Sequence, residues 1–374
     1  MLDFIILILV LIELIYLIYE DYKNKKNRKK LKAVIHVNGI RGKSTVTRLI
    51  HGALKAKEDK RVFAKTTGTL PMTIDNDYKE ELIVRKSMSN IKEQIKIIEK
   101  AVEEKSDYLV IECMAVNPLL QKVSQEKILY GDIGVLTNVR LDHTEEMGEN
   151  LLEIAQSLSS FIPKNGVLIT SEEKYFHVLE KYSKKVSTKI IKAQPKEEYS
   201  RINFPENVAC AVEVCKLFDI DEEAALKAME SFVRDPYDLR LYKFDKGGIF
   251  INGLSINDPD SSELVYKNLE KKHSWQDKKL VLLINNRPDR GYRAKHMVDL
   301  SKRLKPDEII IAGSFSKYLS RQLKDFSRKI VTSPADLNFS LYDDNTIIYA
   351  VGNIANHGDQ ILEKVKKEAR EYVW

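Results

Sequence analysis

Cysteine is scarce: only Cys113, Cys210 and Cys215 occur in 374 residues. None forms a C-x-x-C pair and the number is odd, which fits a reducing compartment and argues against a disulfide framework or a zinc site. Glycine (15) and proline (10) are also few, which excludes a collagen-like or linker-like chain. A strong charge of one sign is missing too. The net charge is +6, but residues 23–32 (KNKKNRKKLK) hold seven Lys and Arg with no acid, and residues 1–22 hold four acids with no base. Residues 33–374 are left with 54 basic and 51 acidic side chains. A nearly neutral body gives no reason to expect a nucleic-acid partner. There is no internal repeat, and no biased segment beyond 23–32.

What is present is an ordinary globular composition, 43% hydrophobic and 31% charged, with length for about two domains. One long apolar run stands out, FIILILVLIELIYLIY at 4–19, interrupted only by Glu13. As a helix it spans about 24 Å, slightly short of a bilayer's hydrocarbon core of ~30 Å, a gap that snorkelling flanks and Tyr16, Tyr19 and Tyr22 would close. The positive residues follow the run and no A-x-A cleavage site appears, unlike a signal peptide. Residues 1–22 are therefore expected to be a single-pass transmembrane anchor, and 23–32 a basic juxtamembrane linker that keeps the body in the cytoplasm. A buried or interfacial helix is the alternative. An acid in mid-span is costly, so Glu13 is expected to face a partner helix.

The rest reads as α/β. Apolar runs at 33–37, 108–112, 133–137, 166–170, 248–252, 280–284, 308–312 and 346–351 predict strands, with amphipathic helices between them, such as 91–104 and 358–371. Continuous apolar strands separated by helices indicate a parallel sheet covered on both faces. The pattern breaks between Arg234 and Gly247, which places a domain boundary near 240, dividing 33–239 from 240–374.

The segment AVIHVNGIRGKSTVTRLI is strand, loop, then helix. Asn38, Gly39, Ile40, Arg41 and Gly42 would form a phosphate loop, with Lys43 reaching terminal phosphates, Ser44 holding Mg²⁺, and Thr45 a neighbouring hydroxyl. The loop departs from G-x-x-x-x-G-K-[ST]: Val37 stands where the first Gly belongs. Further polar clusters follow other strands: Lys65-Thr66-Thr67-Gly68-Thr69, Glu112, Asn138 with Asp142-His143, Asp258, Asn285-Asn286-Arg287 with Asp289-Arg290, and Gly352-Asn353. Ligands in open α/β sheets bind at strand carboxyl ends, so a site between two domains is expected. Each residue has a plainer alternative. Glu112 would serve as a salt-bridge partner of Lys43, His143 as a structural histidine, Cys113 as core packing, and Arg287 and Arg290 as solvated charges. In a cleft the arginines would grip carboxylate or phosphate.

These residues resemble the Mur ligase superfamily of ATP-dependent amide ligases, in the shortened loop Gly39–Thr45, the TTGT loop (66–69), Glu112, Asn138 and Asp142-His143. AKTTGTLP, IECMAVNPLLQ, TNVRLDHTEEMG, INDPDSS, INNRPDR and AVGNIANHG are more closely similar to the poly-γ-glutamate synthase subunits called PgsB or CapB. The resemblance implies a P-loop, Mur-ligase-type ATPase domain with a parallel sheet, followed by a smaller Rossmann-like α/β domain. It also implies ATP and Mg²⁺ as cofactors. Lys43, Glu112 and His143 would be the catalytic set, and Ser44, Thr67, Glu112 and His143 the metal-holding one. Asn138, Arg240 and Asp258 would lie near the nucleotide, and Asn203 and Asn207 resemble the helix motif that closes the ATPase domain. The arginine region, DPYDLRLYK, lacks the Gly that precedes Arg in Mur enzymes, and no residue is assignable as their carbamylated lysine.

The implied activity joins glutamate through its γ-carboxylate by way of an acyl phosphate. Closure of the second domain would keep water out. Asn286, Arg287 and Arg290 are expected to hold glutamate or the growing poly-γ-glutamate chain, and small membrane subunits of a synthase and export complex to be partners. Three other readings stay open: another Mur-type ligase such as folylpolyglutamate synthase, a membrane-tethered P-loop ATPase for transport or assembly, and a silent scaffold.

Overall fold

A computed structural model describes residues 2–372, apart from 58, 69, 86–88, 236, 257, 289–290 and 355–356. The chain divides into two compact units, Met1–Asp235 and Pro236–Trp374.

The first unit is built on an eight-stranded sheet. Its strands are β1 (Ala33–Asn38), β2 (Val62–Lys65), β3 (Met72–Ile74), β4 (Glu80–Leu82), β5 (Tyr108–Glu112), β6 (Ile133–Leu136), β7 (Val167–Thr170) and β8 (Lys189–Lys192). Their order is β4-β3-β2-β5-β1-β6-β7-β8. The six strands from β2 to β8 run parallel, and β3 and β4 extend the sheet antiparallel at one edge. β1 is central and buried along its whole length, as its unbroken apolar run AVIHV requires. Helix α1 (Leu2–Arg28) precedes the sheet, α2 (Lys43–Leu54) follows β1, and α3 (Glu93–Glu103) and α4 (Pro118–Val123) flank β5. Val46, Leu49, Ile50 and Ala53 of α2 pack on Val208, Ala211, Val212 and Cys215 of the Pro205–Lys216 helix. This fixes the axis of the helix that opens at Lys43.

Among the described residues, no helix is long and apolar enough to cross a membrane. The anchor expected over 1–22 is corrected on this point. The apolar run 4–19 is short, Glu13 breaks it, and Asp3, Glu20 and Asp21 bound it. The basic run is not a separate linker either, because α1 continues to Arg28 and its end docks on the body. Asn24 Nδ2 donates to the Ile128 carbonyl (2.9 Å), and Arg28 donates to the carbonyls of Leu129 (2.8 Å) and Tyr130 (3.0 Å) and ion-pairs with Asp132. Asn24 and Arg28, four apart, share the buried face of α1, Leu31 is buried just past its end, and the lysines between them reach water. The Ile128 and Leu129 carbonyls lie in a π-helical turn, Ser124–Leu129, a distortion that often marks a functional or strained place.

The second unit is a seven-stranded sheet in the order β13-β12-β11-β14-β10-β9-β15. The strands are β9 (Leu241–Phe244), β10 (Ile249–Asn252), β11 (Lys279–Asn286), β12 (Glu308–Gly313), β13 (Arg328–Ile330), β14 (Thr346–Gly352) and β15 (Ala369–Tyr372). Five are parallel, with β9 and β15 antiparallel at one edge. The helix expected to run to 371 stops at Glu368, where AREY turns into β15 and pairs with β9. Both units thus have the expected α/β character with parallel sheets.

Candidate functional site

In the first unit the carboxyl end of β1 leads into the loop Gly39–Gly42. Gly39 has φ +131° and Gly42 φ +78°, conformations that a side chain resists. A Cβ on Gly39 would collide with Thr137 Oγ1, and one on Gly42 would come within 2.8 Å of Asn207 Oδ1. The loop is stitched to the end of β6. Ile40 N donates to the Asn138 carbonyl (3.2 Å), Arg41 N to Asn138 Oδ1 (3.1 Å), and Asn138 Nδ2 and Thr137 Oγ1 both donate to the Arg41 carbonyl (3.1 and 2.6 Å). Asn38 accepts from Gly39 N (2.8 Å) and donates to Gln121 Oε1 (2.8 Å). Asn38 and Asn138 therefore shape the loop through their side chains.

Lys43 folds back so that Nζ donates to the Gly39 (2.8 Å) and Ile40 (3.3 Å) carbonyls. Ser44 Oγ donates to Glu112 Oε2 (2.8 Å), and the Thr67 amide donates to the same oxygen (2.7 Å). Glu112 is 2% exposed. It arrives there because β5 lies between β1 and β2, so the loops after all three strands converge. Thr67, which the resemblance places in the metal-holding set, meets the site through its backbone amide, which donates to the Glu112 carboxylate. Thr45 is half-buried in the first turn of α2.

His143 sits at φ +51° beside Asp142: its amide donates to Asp142 Oδ1 (2.8 Å), and its Nε2 is 3.8 Å from Asp142 Oδ2. Arg41 Nη2 ion-pairs with the same carboxylate at 3.0 Å. Among the described residues no group of three or more His, Cys, Asp or Glu gathers to hold a metal. A serine hydroxyl 2.8 Å from a buried carboxylate is nevertheless a hard-oxygen pair of the kind that suits Mg²⁺, which takes few carboxylates and completes its shell with phosphate and water.

No expectation from the sequence covered Thr137, Gln121, Glu172 or Glu93, and Lys65 stood out only as part of a polar cluster after a strand. Thr137 and Gln121 brace the loop, and Glu172 accepts from the Val139 amide (2.9 Å). Lys65, fully buried, places Nζ 3.1 Å from Glu93, which also takes two hydrogen bonds from Arg85 (2.7 and 3.1 Å). Burial holds the Lys65 ammonium below the usual lysine range, against the opposing pull of Glu93 and Glu112. Burial works upward on Glu93, yet Arg85 and Lys65 outweigh it and its carboxyl lies below the usual range. The available signal was a lysine at the end of an apolar strand directly before TTG. Cys113, expected in the core, is buried, and burial pushes its thiol up to about 11.

The second unit shows a different chemistry. Asp258 is the N-cap of the Pro259–His273 helix, accepting from Ser261 N (2.8 Å) ahead of a proline at the first helical position. Arg240 Nη1 ion-pairs with Glu371 of β15 (3.1 Å). Asn285 donates to the Asn353 carbonyl (2.6 Å), and Asn286 is buried, its Nδ2 without a hydrogen-bond partner among the described residues. Arg287 is half-buried beside them. Arg290 lies outside the described residues.

The Mur ligase middle domain matches residues 37–226, and the poly-gamma-glutamate synthase CapB C-terminal domain matches residues 239–368. PGA synthase CapB of Bacillus subtilis (strain 168) is 33% identical over 355 residues, covering 88% of this chain and 89% of that protein. The chain belongs to the CapB family. Capsule biosynthesis protein CapB of Bacillus anthracis is 31% identical over 360 residues, covering 89% of this chain and 76% of its own. Among solved structures, a bifunctional folylpolyglutamate synthase/dihydrofolate synthase of Yersinia pestis, complexed with AMPPNP and Mn ion, matches with TM-score 0.71 at 12% identity. It covers 92% of both chains, a likeness of fold.

Proposed function

We propose that this CapB-family chain is an ATP-dependent amide ligase that extends poly-γ-glutamate. The observation that carries the reading is the convergence of Lys43, Ser44 and Glu112 on one glycine-shaped loop, in a chain about one-third identical to a PGA synthase.

A carboxylate is a poor electrophile. Transfer of the γ-phosphoryl group of ATP to the glutamyl γ-carboxylate yields an acyl phosphate and ADP. The amine of the next glutamate then attacks the acyl carbon, loses a proton, and expels inorganic phosphate as the amide forms. The chain's residues have to position the phosphates and balance charge on the moving phosphoryl group. The Gly39–Gly42 loop and the amino end of α2 offer N–H groups to phosphate oxygens. Lys43 leaves its carbonyl partners for the terminal phosphates. Ser44 and Glu112 would hold Mg²⁺, which supplies positive charge to the phosphoryl oxygens when bound. His143, beside Asp142 and Arg41, completes the polar rim of this loop. Asn286 and Arg287 are proposed to hold glutamate, and Arg240 and Asp258 to lie toward the nucleotide.

Phe4 through Tyr19 of α1 expose apolar side chains on every face, more than a free surface usually shows. Residues 4–19 are proposed to attach the enzyme to a membrane assembly of small partner subunits. Removing residues 2–19 should release the protein from membranes while leaving ADP binding intact.

The reaction is tested by ADP release from Mg-ATP with and without glutamate, beside Lys43→Ala. Glutamate-dependent release that disappears in the variant supports the ligase. Release that ignores glutamate but requires Lys43 sinks it in favour of a transport or assembly ATPase.

A further inference from the structure

The proposed chemistry makes no use of the end of α1, yet buried hydrogen bonds join it to the phosphate loop. Helix α4 and the π-helical turn after it form one segment, 118–129, whose last carbonyls lack partners within the helix. Side chains from α1 satisfy them. Asn24 Nδ2 donates to the Ile128 carbonyl (2.9 Å), and Arg28 donates to those of Leu129 (2.8 Å) and Tyr130 (3.0 Å). A guanidinium also suits the negative end of a helix dipole. Arg28 ion-pairs with Asp132 as well, and Asp132 accepts from Val34 N near the start of β1 (2.7 Å).

The same segment holds the strand that carries the loop. His36 Nδ1 of β1 lies 2.8 Å from Gln125 Oε1, and Gln125 Nε2 donates to the Gly131 carbonyl (2.8 Å). Gln121 Oε1 accepts from Asn38 Nδ2 (2.8 Å), and Asn38 Oδ1 accepts from Gly39 N (2.8 Å). Gln121 and Gln125 are both buried, so water does not replace a lost partner there. Relaxing a π turn to α would rotate the residues on one side of it by about 100° against the other. Gln121, before the turn, and the carbonyls held by α1, at its end, would then not both keep their partners.

We propose that Asn24 and Arg28 are positioning residues for the nucleotide. By capping 118–129 they keep its π turn, which sets Gln121 against Asn38 and so fixes the bend at Gly39. This rests on Gly39–Gly42 being the loop that holds phosphate. The seating of α1 and the binding of nucleotide are thereby linked, and such linkage runs in both directions.

The test measures Mg-ADP binding to the full-length chain by titration calorimetry, with Tm alongside, and amide hydrogen exchange at 124–130 with and without Mg-ADP. Arg28→Met should weaken Mg-ADP binding about fivefold, and Gln121→Met by about the same factor. The double variant should bind no more weakly than the worse single one, because both changes break one chain of contacts. In the unsubstituted protein Mg-ADP should slow exchange at 124–130 about threefold or more, and Gln121→Met should remove that protection. Exchange in the unsubstituted protein and in Gln121→Met carries the test if Arg28→Met does not fold. Three results each overturn the proposal and leave Asn24 and Arg28 as structural caps: affinity unchanged in both variants while Tm falls, losses of affinity that simply add, or exchange at 124–130 indifferent to Mg-ADP. Lys43→Ala separates the two levels. If it leaves Mg-ADP affinity unchanged, the phosphate-loop reading falls, and the proposal with it. If it abolishes binding while Arg28→Met and Gln121→Met bind normally, the proposal alone falls.

Discussion

The two sheets of this chain handle polarity at their strand ends in opposite ways. In the first unit, charge gathers there: Lys43, Glu112 and the Arg41–Asp142 pair lie at one glycine-bent loop, and Lys65 pairs with Glu93 at the end of β2. In the second unit, the carboxyl ends of β10, β11 and β14 carry Asn252, Asn285, Asn286 and Asn353, all buried. Asp258 is committed to a helix cap there, and Arg240 to an ion pair with Glu371. Ionic groups suit phosphate and a divalent cation, whereas amide dipoles suit a ligand whose atoms must be oriented without a large charge cost. The strand ends of the first unit thus carry the groups that the proposed phosphoryl transfer needs. The second presents amides with a flanking arginine, Arg287.

If this contrast is right, Glu112→Gln should have the largest effect, lowering glutamate-dependent ADP release about 10²–10³-fold, checked by steady-state kinetics. A smaller loss would mean that the first unit does not work through charge at this carboxylate. Gly39→Ala should come next. The φ of +131° and the collision with Thr137 should destabilise the first unit by about 3 kcal/mol, read by urea unfolding.

The first unit should also be acid-sensitive. His36 and His51 are buried neutral, each brought down to about 4 by burial. Their unfolded forms take up protons near pH 6.5, so the unfolded state binds more protons between about 6.5 and 4, and stability falls as pH is lowered through that window. Each contributes on the order of 3 kcal/mol by pH 4. Tm measured from pH 7.5 to 4.5 should fall, and His36→Leu should flatten the slope by about one proton's worth. The smallest effect is expected from Asp258→Ala, about 1 kcal/mol from the lost cap. If that variant instead lost activity while keeping its stability, Asp258 would serve the nucleotide and the contrast between the units would weaken.

The sequence made the central strands plain and the edges obscure. All eight runs read as strands are strands, because a strand buried on both faces must be apolar throughout. The short strands β2, β3, β4, β8, β9, β13 and β15 were not among those runs. Segments such as KIIK, RKI and AREY carry charge because edge strands need only one partner and guard against further pairing. The end of α1 was misjudged for a related reason. A dense basic run reads as a solvated linker unless Asn24 and Arg28 are seen to share one face.

The phosphate loop was legible because its chemistry is local: glycines, a lysine and a serine within a few residues, between a strand and a helix. Its bracing by Thr137, Gln121 and Asn138 was not, since those residues come from 83 and more positions away. The sequence by itself determined the α/β class, the loop, Lys43, Ser44 and the acid at the end of β5. Only the tertiary structure decided that Glu112 meets Ser44 and the Thr67 amide, and that Lys65 pairs with Glu93. Strand order brings β1, β5 and β2 side by side, and that order depends on how helices pack across the sheet, not on any run of neighbouring residues.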